Sequence, residues 1–344
     1  MAHGKERPIR LMEICGTHTH AIARAGIKQL LPEDVRLLSG PGCPVCVTPP
    51  EAIDALVSLS RLPDVTVCTY GDMLRVPGTS PDISLLKEKG HGSRVEMVFS
   101  PMDALEMAKA DPSREVVFAG VGFETTAPGT LAAVRAAKEQ NVPNFSVFLL
   151  LRRIEPAVRA LLADPESKID GFLCPGHVAV ILGEEGFRFL PEEYRLPAVI
   201  SGFEPADIWL SVKELIRQVR EKDPQLVNTY TRTVSREGNR LALQLMEEMT
   251  ESCAALWRGL GTIENSAFAL KADYKSFDAA EKFDIRLPDK SAPTACRCGD
   301  VICGKIEPAG CPFFGKVCTP EAPLGPCMVS SEGSCAAAYT YRNW

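Results

Sequence analysis

EVVFAGVGFETTAPGTLAAVRAAKEQ, residues 115–140, runs from an uninterrupted apolar stretch through a Gly-x-Gly turn into a helical pattern. A strand that is apolar at every position, rather than at alternate ones, belongs in a parallel sheet covered by helices on both faces. The same reading extends outward in both directions. Apolar runs recur at Ile9–Ile14, Val35–Ser39, Val65–Tyr70, Val95–Phe99, Phe145–Leu151, Gly171–Leu173 and Ala198–Ser201. Helix-like segments at Ala21–Leu31, Pro50–Arg61, Met102–Ala110, Gly129–Gln140 and Glu155–Ala163 lie between them. Strand–helix alternation of this kind predicts an α/β fold. A polar break at Lys87–Ser93 (KEKGHGS) divides the strands into two parallel-sheet α/β domains around a cleft, residues 1–92 and 93–204. Beyond Gly202 the pattern changes. Ala206–Arg220 and Asn239–Glu251 carry apolar residues at helical spacing, and the final stretch is rich in Cys, Pro and Gly, so residues 205–344 read as a mainly helical and irregular third domain.

The chain has 344 residues, 45% hydrophobic and 24% charged, with 44 acidic against 38 basic side chains and a net charge of −6. No global positive field gathers nucleic acid or an anionic membrane. No apolar run approaches the ~18 residues of a membrane span, and Met1–Arg10 is too polar for a secretory signal. The expected compartment is the cytoplasm. Thirteen cysteines are present, seven of them at 296, 298, 303, 311, 318, 327 and 335. In a reducing compartment such a cluster points to metal or redox chemistry rather than to structural disulfides.

Functional loops of parallel sheets sit at the carboxyl ends of strands. There the sequence places Cys15 with His18 and His20, Cys43-Pro44-Val45-Cys46, Gly71-Asp72, Gly120-Val121-Gly122-Phe123-Glu124, and Cys174-Pro175-Gly176-His177. The Cys43/Cys46 pair reads as a redox dithiol, as half of a zinc site, or as two cysteines without a special role. Cys15 reads as an activated thiolate, a soft metal ligand or a small buried hydrophobe. In an extended segment His18 and His20 point to opposite sides, so one at most approaches Cys15. His177 is a metal ligand, a proton carrier or a satisfied structural histidine. Cys68 and Cys253 fall inside apolar patterns and are assigned to the core. Thr125 stands where a dinucleotide fingerprint needs its third glycine, and no P-loop occurs. In the tail the intervals between cysteines are one, four, seven, six, eight and seven residues, without a Cys-x-x-Cys. Zinc knuckles and ferredoxin runs use shorter spacings. Four widely spaced thiolates around an iron–sulfur cluster, with leftover cysteines able to form a redox disulfide beside it, fit better.

The strings MEICGTHTHAIARAGI, SGPGCPVCVTP, TYGDMLRVPG, GFETTAP, LCPGHV, CRCGDV, CPFFGKVCTPE and GPCMVSSEGSCAA, in that order, resemble the hydrogenase maturation protein HypD family along nearly the whole chain. The resemblance implies a cytoplasmic, redox-active scaffold rather than a conventional turnover enzyme. On it the Fe(CN)2CO unit of nickel–iron hydrogenase is assembled, together with the small chaperone HypC and the cyanide-donating HypE, and without nucleic acid or membrane. It also implies a [4Fe–4S] cluster. Carried over residue by residue, Cys296, Cys311, Cys318 and Cys335 are the cluster ligands and Cys298 and Cys327 a redox pair. Cys303 departs from the family pattern and lies close enough in sequence to stray into the cluster site. Cys15, Cys43, Cys46 and His177 match the family's cleft residues, and Asp72 and Glu124 match motif acids. Thiolate with imidazole suits low-valent iron carrying diatomic ligands, so Cys15 and His177 are the expected iron holders. Two other readings compete: a stand-alone, cluster-dependent thiol–disulfide oxidoreductase, and a docking platform built on structural zinc.

Overall fold

All eight apolar runs are strands in the computed structural model, which describes residues 7–341. They are β1 (Ile9–Glu13), β2 (Val35–Ser39), β3 (Val65–Thr69), β4 (Val95–Met97), β5 (Glu115–Gly122), β6 (Phe145–Leu151), β7 (Gly171–Pro175) and β8 (Ala198–Ser201). Three more follow: β9 (Leu226–Asn228), β10 (Thr250–Trp257) and β11 (Gly261–Leu270). One parallel sheet has the order β2-β1-β7-β8-β9, a second has β4-β3-β5-β6, and β10 pairs with β11 as an antiparallel hairpin. The α/β class with two parallel sheets and a C-terminal region of short helices is as the patterning predicts. Val116–Ala119 shows why it was legible, since all four residues are buried and a strand covered on both faces has no polar positions to alternate with.

Membership of the sheets differs from a sequential division. Strands from residues 1–92 serve both sheets, and the first sheet draws β7 and β8 from the 93–204 stretch. The chain leaves the first sheet after β2, builds the whole second sheet, and returns so that Leu11 pairs with Gly171 and Glu13 with Leu173. The KEKGHGS break lies within the second unit, where Ser84 caps the short Leu85–Gly90 helix ahead of β4. It separates a helix from a strand, and the two sheets part elsewhere.

The helix expected over Ala206–Arg220 is present as Pro205–Glu221 and buries Ile208, Val212 and Leu215 beside the first sheet. The helix expected over Asn239–Glu251 is shorter, capped by Asn239 and ending at Met249. Thr250 starts the hairpin, an element absent from the sequence reading. Its turn relies on Gly259 and Gly261, both with positive φ, a conformation glycine adopts without steric cost. Trp257 anchors the hairpin, fully buried, with its indole N–H donating to Ser266 Oγ at 2.8 Å. Among the described residues no helix is long and apolar enough to cross a membrane.

Candidate functional site

In the first sheet β1 is followed by β2 on one side and flanked by β7 on the other. That reversal opens a crevice at the carboxyl ends of β1 and β7, where α/β folds bind ligands. Cys15 leaves β1 and occupies the N-cap position of the Gly16–Arg24 helix. His177 leaves β7 in the first turn of the Gly176–Leu182 helix. The local sequence therefore brings a thiol and an imidazole to one crevice from strands far apart in the chain.

Burial pushes the Cys15 thiol up to about 12, helped by the carboxylates of Glu332 and Glu13 and opposed by the amides of His18 and Thr17. The proton therefore stays on sulfur at neutral pH. His177 is exposed at the crevice mouth, and partial desolvation holds it below its ordinary value, with Glu332 acting in the opposite direction. Its ring stacks on Phe203 at 3.9 Å, and His18 packs against the same phenyl ring at 4.6 Å. His18 lies in a helix, so the extended geometry expected for His18 and His20 is corrected. His18 Nε2 donates to the Gly202 carbonyl at 2.9 Å, while its Nδ1 has no hydrogen-bond partner. Burial lowers it to about 4, so it is neutral. His20 instead meets the Tyr341 hydroxyl at 3.2 Å.

The Cys43/Cys46 loop packs directly on Cys15. Gly16 N–H donates to the Gly42 carbonyl at 3.1 Å, and a Cβ on Gly42 would collide with the backbone of Ile14 and Cys15. Neither partner is a side chain that can swing away. Gly42→Ala is therefore expected to cost at least about 1–3 kcal/mol, the ordinary penalty for overpacking, seen as a lower urea midpoint with an unchanged slope. Cys43 and Cys46 are bonded to each other, with their Cα atoms 5.2 Å apart. Cys43 Sγ lies 3.6 Å from Ser330 Oγ, and Asp72 Oδ2 accepts from Ser330 Oγ at 3.1 Å and from Ser331 N–H at 3.0 Å. Next in the chain, Glu332 accepts from Thr17 Oγ1 at 2.6 Å. Ser330, Glu332 and Phe203 are site residues that the sequence reading missed. The first two stand in the spacer between Cys327 and Cys335, and that position is their one sequence signal. Glu124 lies apart from these sulfurs, at the end of β5.

Six of the seven tail cysteines line a single cavity: Cys296, Cys298, Cys311, Cys318, Cys327 and Cys335. Phe313, Phe314, Leu324 and Met328 complete its walls. Cys303 is excluded from it, pointing its sulfur at the Gly259 carbonyl 3.8 Å away. Cys303 thus lies outside this cavity. Within the cavity Cys296 Sγ accepts the Cys298 N–H at 3.4 Å, and the Cys298 thiol is hydrogen-bonded, without a disulfide, to the thiols of Cys296 and Cys327. The bond to Cys298 and then burial push Cys296 upward. Cys335 is also raised, by burial first and then by Cys298, Cys296, Cys318 and Cys311. Thiols so placed ionise together only when cationic metal binds among them. Cys318 Sγ already accepts the Leu324 N–H at 3.4 Å. Gly325 leaves space that a Cβ would take from Cys296 Sγ. Cys68 is fully buried as expected, whereas Cys253 is only half-buried on β10, whose neighbouring residues Glu251 and Ser252 face solvent.

Among the described residues no three His, Cys, Asp or Glu side chains converge as a single ion requires. Zinc needs four donors at about 2.0–2.3 Å from one point. Thiols that line one apolar cavity are a donor set for bound metal, sulfide-bridged iron included. The four cysteines matched to cluster ligands all face this cavity, and the Cys298–Cys327 pair is buried at its side.

A family model described as "Hydrogenase formation hypA family", designated HypD, matches residues 1–342. The chain is 43% identical over 341 residues to "Hydrogenase maturation factor HypD" of Rhodobacter capsulatus, covering 98% of this chain and 90% of the relative. It is 44% identical over 343 residues to the protein of the same name from Escherichia coli (strain K12), covering 99% and 91%. It is 44% identical over 341 residues to "Hydrogenase expression/formation protein HupD" of Azotobacter chroococcum mcd 1, covering 97% and 90%. Both cysteine-bearing regions fall inside these matches. With likeness of that extent, the chain belongs to the HypD family of hydrogenase maturation factors.

Proposed function

We propose that this protein is a cytoplasmic scaffold on which the Fe(CN)2CO unit of nickel–iron hydrogenase is assembled, working with HypC and HypE. Its cargo iron is held by Cys15 with His177. The observation that carries this reading is the reach of one short segment. Cys327 lines the sulfur cavity, Ser330 stands against Cys43, and Glu332 acts on both Cys15 and His177. Three sulfur groups are thus tied to one stretch of backbone.

Iron binding displaces the Cys15 proton, and Glu332, beside both Cys15 and His177, is the acceptor for it. A [4Fe–4S] cluster held by Cys296, Cys311, Cys318 and Cys335 supplies electrons one at a time when bound. The dithiols handle electrons in pairs. Oxidation of Cys298 and Cys327 to a disulfide releases two electrons and two protons, and opening the Cys43–Cys46 bond consumes the same two and two. Ser330 Oγ, between Cys43 Sγ and Asp72, is placed to pass one of those protons. Cys43 is 5% exposed and Cys46 1%. Burial of this kind weighs against a stand-alone oxidoreductase, whose attacking sulfur must be reachable by its substrate.

Cys327→Ser tests the route. With anaerobic dithionite as reductant and mass-tagging of free thiols as readout, opening of the Cys43–Cys46 bond is expected to slow at least about tenfold, because a lone thiol at Cys298 cannot complete the exchange. An unchanged rate would remove the Cys298/Cys327 pair from the route.

A further inference from the structure

Glu124 is 3% exposed and sits just beyond the carboxyl end of β5. Its Oε1 accepts the Ile154 N–H at 2.9 Å and so caps the Ile154–Ala163 helix. That bond accounts for half of the carboxylate. Oε2 is buried and has no hydrogen-bond partner. A buried acceptor left unmatched is costly, and native proteins keep such groups where a ligand completes them.

The residue lines a cavity of about 430 Å³, within the range of small-molecule sites. Glu124 follows β5, and Arg153 and Glu155 follow β6, so the cavity opens beyond the carboxyl ends of two neighbouring strands of the second sheet, where α/β sheets carry their functional loops. Charge in this cavity is one-sided. Glu155, Glu185, Glu247 and Glu251 join Glu124, against Arg153 as the one basic lining residue. Glu155 is paired with Arg159, and Glu185 with Arg188 and Arg236, which leaves Glu247 and Glu251 on the rim without an ion pair among the described residues. Leu182, Leu243, Met246 and Phe268 supply an apolar wall. Because no three of these acids converge on a point, a bare metal ion is a poor match. A cation with N–H donors and a hydrocarbon stem meets all three features: the unmatched acceptor, the acidic rim and the apolar wall.

We propose that the Glu124 cavity binds an organic cation, an ammonium or guanidinium group on an apolar stem, with Glu124 Oε2 as its hydrogen-bonded anchor. The source of that group is either a free small amine or a lysine or arginine side chain of a partner protein. This site operates independently of the sulfur chemistry, on the other sheet.

Calorimetric titration of the purified full chain tests it, with cadaverine and agmatine as free amines and acetyl-Gly-Lys-Gly-amide and acetyl-Gly-Arg-Gly-amide as side-chain probes. Saturable binding of at least one probe is expected. Glu124→Gln keeps an oxygen acceptor for the Ile154 N–H and removes the charge, so it should weaken that binding about ten- to a hundredfold, as loss of a charge-assisted hydrogen bond does. Glu251→Gln, on the exposed rim, leaves the fold untouched and should weaken binding by a smaller factor of about two. Binding of the amines alone identifies a free ligand; binding of the peptides identifies a partner's side chain. Absence of binding by all four probes, or equal binding by the native chain and Glu124→Gln, overturns the proposal.

Discussion

Cys15→Ala is expected to abolish the iron–cyanide and iron–carbonyl infrared bands of the purified maturation complex while leaving the visible absorption of the cluster in place. The physical ground is separation of two sulfur sites. Cys15 stands at the end of β1 and does not line the cavity of tail cysteines, so its removal leaves all six of those thiols intact. Cys43 and Cys46 are bonded to each other, and Cys174 on β7 turns its sulfur to the Phe172 carbonyl 3.9 Å away. His177 alone supplies one neutral nitrogen, too weak a donor set to retain soft, low-valent iron. A pH dependence follows from the raised Cys15 thiol, at about 12. Below that value the thiol must shed its proton to bind iron, so apparent iron affinity rises by about tenfold per pH unit through the neutral range. Survival of the bands in Cys15→Ala would take Cys15 out of the iron site.

The second large effect concerns the tail. Anaerobically purified native protein should carry about four irons and four sulfides per chain, and Cys311→Ala should carry nearly none. Cys303→Ala should keep both. The contrast rests on orientation. Cys311 faces the cavity, whereas Cys303 closes the short Cys298–Ile302 helix and turns to the Gly259 carbonyl. Equal loss in the two variants would overturn the assignment of Cys303 to a position outside the cluster. Zinc in place of iron would return the tail to a structural role.

How far the sequence speaks depends on the range over which each feature is encoded. The eight parallel strands are legible because burial on both faces writes itself locally as an apolar run. Pairing of β1 with β7 is not, because no local signal distinguishes a strand that returns to an old sheet from one that starts a new one. Cys15, Cys43 and His177 could be found because each follows a strand and is flanked by glycine or proline, and Cys46 because it completes a Cys-x-x-Cys with Cys43. Ser330 and Glu332 act from an aperiodic stretch, and only the fold lays them over Cys43 and Cys15. The hairpin of β10 and β11 escaped for a different reason. Its buried positions are irregularly spaced, with Ser266, Ala267 and Phe268 buried in a row on β11, leaving a weak alternation, while the pair Gly259 and Gly261 that marks its turn sits between segments that do not read as strands. For the tail, spacing told that cysteines cluster. Which of them turns away depended on the local helix geometry around Cys303.

The hydrogen bond between Thr17 and Glu332 joins residues 315 positions apart. On the ribosome the Cys15 end of the crevice is therefore made long before the acid that faces it. Until residues 330–332 emerge, a nascent chain has neither the Ser330–Asp72 tie over the dithiol loop nor the Glu332 carboxylate beside Cys15. Contacts that bridge most of the chain form late, after the loop-closure entropy has been overcome. A chain without residues 330–332 keeps Cys15 and His177 but lacks both the tie over the dithiol loop and the carboxylate that acts on the two.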